Sequence, residues 1–149
     1  MDRVAFLALA FVAGAIFPLQ AVVNARLGAS AGGPIWAAFL SFLVGTIILL
    51  AAALAFVGAP RLAALPTLPW WIWIGGAIGA LLVFTMALAA PRTGTAALLS
   101  VIVAGQMAGA LALDRYGILQ PVRPIGPWQA LGAVLLVAGV AMIVLGPRR

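Results

Sequence analysis

Gly14-Ala15-Ile16-Phe17-Pro18-Leu19-Gln20-Ala21-Val22-Val23-Asn24-Ala25-Arg26 closes an apolar run that opens at Val4, and it shows both how the chain is built and where its chemistry lies. About 20 helical residues, rising 1.5 Å each, cross a hydrocarbon core about 30 Å thick, and Val4 to Ala25 is long enough. A proline and two amides nevertheless sit where lipid should be. A bilayer interior has no water to satisfy polar atoms, so Pro18, Gln20 and Asn24 are expected to face protein or a wet cavity. A signal peptide is the competing reading, because Arg3 precedes the apolar core and Ala13-Gly14-Ala15 resembles a cleavage site. The run continues past that site and four more follow it, which favours a membrane span.

Composition extends the same conclusion to the whole chain. Hydrophobic residues make up 66% of the 149 positions, charged residues only 7%, and the mean hydropathy is +1.28. Soluble domains carry about 25% charged residues. Five apolar runs use nearly all of the length: Val4 to Ala25, Pro34 to Val57, Pro69 to Ala90, Gly94 to Leu113 and Pro127 to Gly146. The expected fold class is therefore all-α integral membrane, with five transmembrane helices in a single transmembrane domain over residues 1–149. Pro34, Pro69 and Pro127 each open a run, where a missing N–H costs nothing. Gly28 to Gly33 and Arg61 to Pro66 read as connections. So does Pro91-Arg92-Thr93-Gly94, too short to permit anything but antiparallel neighbours on either side. Arg115 to Gly126, with Pro121 and Pro124, reads as a surface loop.

Charge and reactive groups narrow the function. Eight arginines face two acidic residues, Asp2 and Asp114, giving +6. The arginines are spread through every connection, as anchors to anionic headgroups are, so a nucleic-acid partner is not expected and the lipid bilayer is. The chain has no cysteine, histidine or lysine and no glutamate. Thiol chemistry, the usual metal ligands and a carboxylate pair for acid–base catalysis are all lacking, so neither an enzyme nor a cofactor is expected.

What remains is amide recognition within a bundle. Pro18 cannot donate to the Gly14 carbonyl and its ring crowds it, so the first helix is expected to bend there with a freed acceptor. Gly14 lies roughly 16 Å from the end of its span and Gln106 roughly 18 Å into the fourth, counting 1.5 Å per residue, so both fall near the midplane. Broken helices at that depth are where secondary transporters hold substrate. Gln106 is expected near the Gly14 acceptor, or else bonds a neighbouring helix. Gln20 and Asn24, four apart, share a face and line a vestibule, unless Asn24 caps the span. Asp114 closes the fourth span beside Arg115. An anion is disfavoured at a helix C-terminus, so Arg115 or another arginine is its expected partner, with a titrating coupling role as the alternative. Small residues recur four apart, with Ala37, Ser41 and Gly45 in the second span, Gly75 and Gly79 in the third, Gly105 and Gly109 in the fourth, and are expected to pack helices closely.

Pro18-Leu-Gln-x-x-x-Asn24, Ser41-Phe-x-x-Gly45, Pro69-Trp-Trp71, Ala90-Pro-Arg92 and Ala104-Gly-Gln106 occur in this order over the whole length. In this the chain resembles the YdcZ-type family of short bacterial inner-membrane proteins in the drug/metabolite transporter superfamily. The resemblance implies a five-helix half-transporter related to one half of the ten-helix EamA-like bundle; read with the amide groups above, the chain is expected to move a small-molecule substrate, a metabolite or amphiphile, as a dimer by alternating access. A non-transporting membrane subunit that needs a different partner chain is the alternative. Small multidrug resistance proteins, also related, carry a glutamate in helix one; this first span has none, so that route to proton exchange is not carried over.

Orientation follows from counting arginines on alternate sides of five spans. Arg3, Arg61, Arg115 and Arg123 fall on one side, Arg26, Arg92, Arg148 and Arg149 on the other. Cytoplasmic excess of basic residues normally sets topology, and an even count specifies it weakly. With an odd number of spans, an inverted second copy recreates an inverted repeat, so the expected assembly is an antiparallel homodimer. Paired reporters fused to the C-terminus and active on opposite sides of the membrane should both give signal; signal from one side only would falsify dual insertion.

Overall fold

The computed structural model describes residues 3–60 and 62–147. Asp2, Arg61, Arg148 and Arg149, counted above, lie outside them. Five long α-helices occur: α1 (Arg3–Ala31), α2 (Pro34–Phe56), α3 (Ile74–Thr93), α4 (Thr95–Tyr116) and α5 (Pro127–Leu145). Short 3-10 turns cover Leu62–Thr67 and Trp70–Trp73, and the second runs straight into α3. Five segments, the third counted from Trp70, are long and apolar enough to cross a membrane. The chain is thus all-helical among its described residues, with five candidate spans.

The first and third helices run further than their apolar stretches suggest. α1 continues for 29 residues through Pro18 and past Arg26, so Gly28 to Ala31 are helical and only Gly32 and Gly33 connect to α2. Both glycines have positive φ, 91° and 134°, a region closed to most side chains. The Gly33 amide donates to the Gly28 carbonyl at 2.8 Å and so closes the helix end. α3 likewise passes Ala90 and carries Pro91 in its last turn, leaving Gly94 (φ 79°) as the only residue between it and α4. The four-residue connection expected there is therefore mostly helix. Arg92 supports the end, its Nη1 donating to the Leu88 carbonyl at 3.0 Å.

The chain forms two compact units, Met1–Arg92 and Thr93–Arg149. In the first, the buried side chains come from the turn end of each helix: Ala21 and Asn24 of α1, Ala37 and Ala38 of α2, Val83, Met86, Ala87 and Ala90 of α3. Small residues let α1 and α2 approach closely where apolarity cannot separate protein from lipid. A Cβ added to Gly28 would lie 3.3 Å from the Gly33 carbonyl carbon and oxygen and 3.5 Å from Ala37 Cβ. α2 meets α3 at Gly79, where an added Cβ would touch the Phe42 ring at 3.4 Å. In the second unit α4 and α5 share a cleft lined by Leu99, Ser100 and Val103 on one side and by Leu135, Leu136 and Gly139 on the other. α4 ends on Gly117 in the left-handed conformation, and Gln129 accepts from the Gly126 amide to start α5.

Because a side chain at Gly28 must push backbone aside, Gly28→Val should lower unfolding stability in detergent by about 1–3 kcal/mol. Gly76→Ala, with nothing within 4 Å of the new methyl, should leave it unchanged or slightly raised.

Candidate functional site

On α1, Pro18, Ala21, Ala25 and Gly28 follow each other at three- and four-residue steps, and Asn24 falls within that face. Ala21 and Gly28 are buried and Pro18 is half-buried, so the stripe turns toward the interior of the first unit. Asn24 is only 2% exposed and is the one buried polar side chain among the described residues. Its amide nitrogen has no hydrogen-bond partner. Leaving a buried amide donor unpaired costs about 1–3 kcal/mol relative to satisfying it, and a membrane interior offers no water to relieve the deficit. Such a group either marks a ligand position or is satisfied by something outside the chain.

Gln20 lies one turn earlier and is half-buried. Gly14 is exposed, with open space where a side chain would be. Its carbonyl receives no helical bond from Pro18, which has no N–H. α1 therefore carries a freed carbonyl, a half-buried amide and a fully buried, unpaired amide within about 15 Å of helix. Asn24 sits seven residues before the end of α1 and does not cap it.

Gln106 belongs to α4 in the second unit and is exposed. Of the small residues expected to pack helices, Ala37 is buried, Ser41 is half-buried and Gly79 meets Phe42, while Gly45, Gly75, Gly105 and Gly109 have open space within 4 Å. The last four present faces that nothing in either unit fills.

Asp114 is held by an amide in place of the arginine expected of it. Gln120 Nε2 donates to its Oδ1 at 2.7 Å, and its own carbonyl accepts from the Arg123 amide at 2.8 Å. The chain reverses at Gly117 (φ 64°), where an added Cβ would clash with Val122, and that reversal brings Gln120 back over the end of α4. Arg115, next to Asp114, is exposed. Sequence alone marks Arg92 only as a headgroup anchor. Its place beside Pro91 and the start of α2, in a cleft that includes Gly33 and Pro34, has no signal in the sequence beyond the Pro-Arg pair itself.

No group of three or more metal-binding side chains occurs among the described residues. Neither a curated protein nor a solved structure matches the chain. The family described as "Putative inner membrane exporter, YdcZ" matches residues 5–142, a stretch that enters all five candidate spans. An inner-membrane location and a transporter class, not an enzyme class, come with that match, and the chain belongs to the YdcZ family of the drug/metabolite transporter group.

Proposed function

We propose that the chain moves a small metabolite or amphiphile across the inner membrane by alternating access, its five spans working as one transmembrane domain and two copies forming an antiparallel homodimer. The observation that carries this reading is Asn24, a buried donor with no partner in a chain that otherwise buries only apolar side chains among its described residues. The pathway runs along α1 past Gly14, Pro18 and Gln20, near the seam between the copies, and ends at Asn24 inside each copy, where that face turns into the first unit. Gly45, Gly75, Gly105 and Gly109, open within each unit, supply close-approach faces for the seam between copies. Gln106, exposed on α4, offers a further amide to the substrate or the second copy. Asp114 is a weaker candidate for ion coupling, since Gln120 already occupies one carboxylate oxygen. The substrate would carry an acceptor for the Asn24 amide and enough apolar surface to pass along a helix that is otherwise apolar there.

Stability and ligand response should separate at this residue. Asn24→Leu, of similar size, removes an unsatisfied amide, so the variant should melt at or above the parent temperature in detergent. Ligands that raise the melting temperature of the parent in a metabolite and amphiphile screen should lose that effect on the variant. A variant that melts well below the parent would show instead that Asn24 holds the helices together.

A further inference from the structure

We infer that the seam between α2 and α3 is a binding site for one anionic phospholipid of the surrounding bilayer, its phosphate on Arg92 and an acyl chain in the apolar cleft beneath. Two clefts follow each other along this seam, both lined only by residues of the first unit. The outer one, about 310 Å3, is lined by Gly33 and Pro34 at the start of α2 and by Leu88, Pro91 and Arg92 at the end of α3, and the end of α1 walls it at Ala25, Gly28 and Ala29. The deeper one, about 520 Å3, begins one turn further along α3 and is lined by Ala38, Phe39 and Phe42 against Ala80, Leu81 and Phe84. The head of the seam is cationic and the rest is wholly apolar.

Charge complementarity names the occupant. Arg92 has five N–H donors, and the contact shown uses only the Leu88 carbonyl. No acidic residue occurs anywhere between Arg3 and Arg92, and the whole sequence holds two acidic side chains for eight arginines, a formal excess of +6 that calls for counter-ions outside the chain. The first turn of α2 adds to the same field. Its N-cap, Gly33, has no side chain, so the Ile35 and Trp36 amides at the positive end of a 23-residue helix have no capping partner. Basic pockets between membrane helices bind anionic headgroups on these grounds.

Length fits as well. From Arg92 to Ala80 the seam follows about 18 Å of α3, and from Pro34 to Phe42 about 12 Å of α2, close to one leaflet of a hydrocarbon core about 30 Å thick. Arg92, one residue before the end of α3, lies where a headgroup would be, and its aliphatic stem can cover the cleft while its guanidinium stays at the interface. The outer cleft touches the Asn24 face of α1 at Ala25 and Gly28, but its charge and length hold whether or not the chain transports.

The test is thermal unfolding of the purified protein in detergent, titrated with phosphatidylglycerol, with phosphatidylcholine of the same acyl chains, and with soluble glycerol phosphate. Phosphatidylglycerol should half-saturate at a concentration about fivefold below that for phosphatidylcholine, as one basic residue at the surface provides. Arg92→Gln should erase the preference, Arg92→Lys and Arg123→Gln should keep it, and Ala80→Phe, which fills the deeper cleft, should weaken phosphatidylglycerol binding several-fold. The inference is overturned if Arg92→Gln keeps the preference, if Ala80→Phe binds as the parent does, or if glycerol phosphate alone stabilises as strongly as the lipid. If Arg92→Gln does not fold, the parent's lipid contrast and Ala80→Phe decide between the same outcomes.

Discussion

A hydrocarbon interior satisfies no hydrogen-bonding group, and most of what this chain does follows from that. Among the described residues its long helices close their own backbone bonds in their interiors, except at the prolines inside α1 and α3. Near each of them the chain concentrates its few polar side chains: Gln20 and Asn24 after Pro18, Arg92 after Pro91. The buried Asn24 amide is the extreme case, because no group of the chain answers its nitrogen. In a soluble protein an ordered water would be the ordinary remedy.

The packing of the first unit has the same origin. Lipid is as apolar as leucine, so helices adhere where small residues permit close backbone approach. Gly28, Ala37 and Ala38 do this at the α1–α2 turn, with Ala21 and Met86 fully buried nearby. Away from that turn the residues are large and exposed, including Phe6, Phe11, Ile47 and Leu50. One end of the unit is thus closed by contacts within the chain and the other is left to lipid or to another copy. The charge balance is open in a comparable way, with eight arginines and two carboxylates.

The existence and number of the spans could be read from hydropathy and from Pro34 and Pro127, because length and apolarity are local properties. Helix ends could not be read as well. Arg26 looks like an interface marker, yet its long side chain can reach water from inside a helix, and α1 continues five residues beyond it. Pro91 looks like a terminator, yet a proline in the last turn removes only one bond there. Asn24 was legible as a polar residue in a span, but its lack of a partner depends on α2 and α3 and has no local signature. For Gln106, counting gave depth along α4 but not direction around it, since apolar residues surround it on every side. The Asp114–Gln120 bond spans six residues and exists only because Gly117 turns the chain back.

The central claim is that the Asn24 face of α1 meets water during the working cycle despite being buried in this conformation. The chain has no cysteine, so single replacements can be labelled without background. In membrane vesicles, Asn24→Cys should react with an impermeant thiol reagent well above the rate of Leu50→Cys, an exposed position in the apolar part of α2, since only a wetted thiol ionises to the reactive form. An Asn24→Cys protein as silent as Leu50→Cys, from both sides of the membrane, would contradict the claim and leave Asn24 as a dry structural residue.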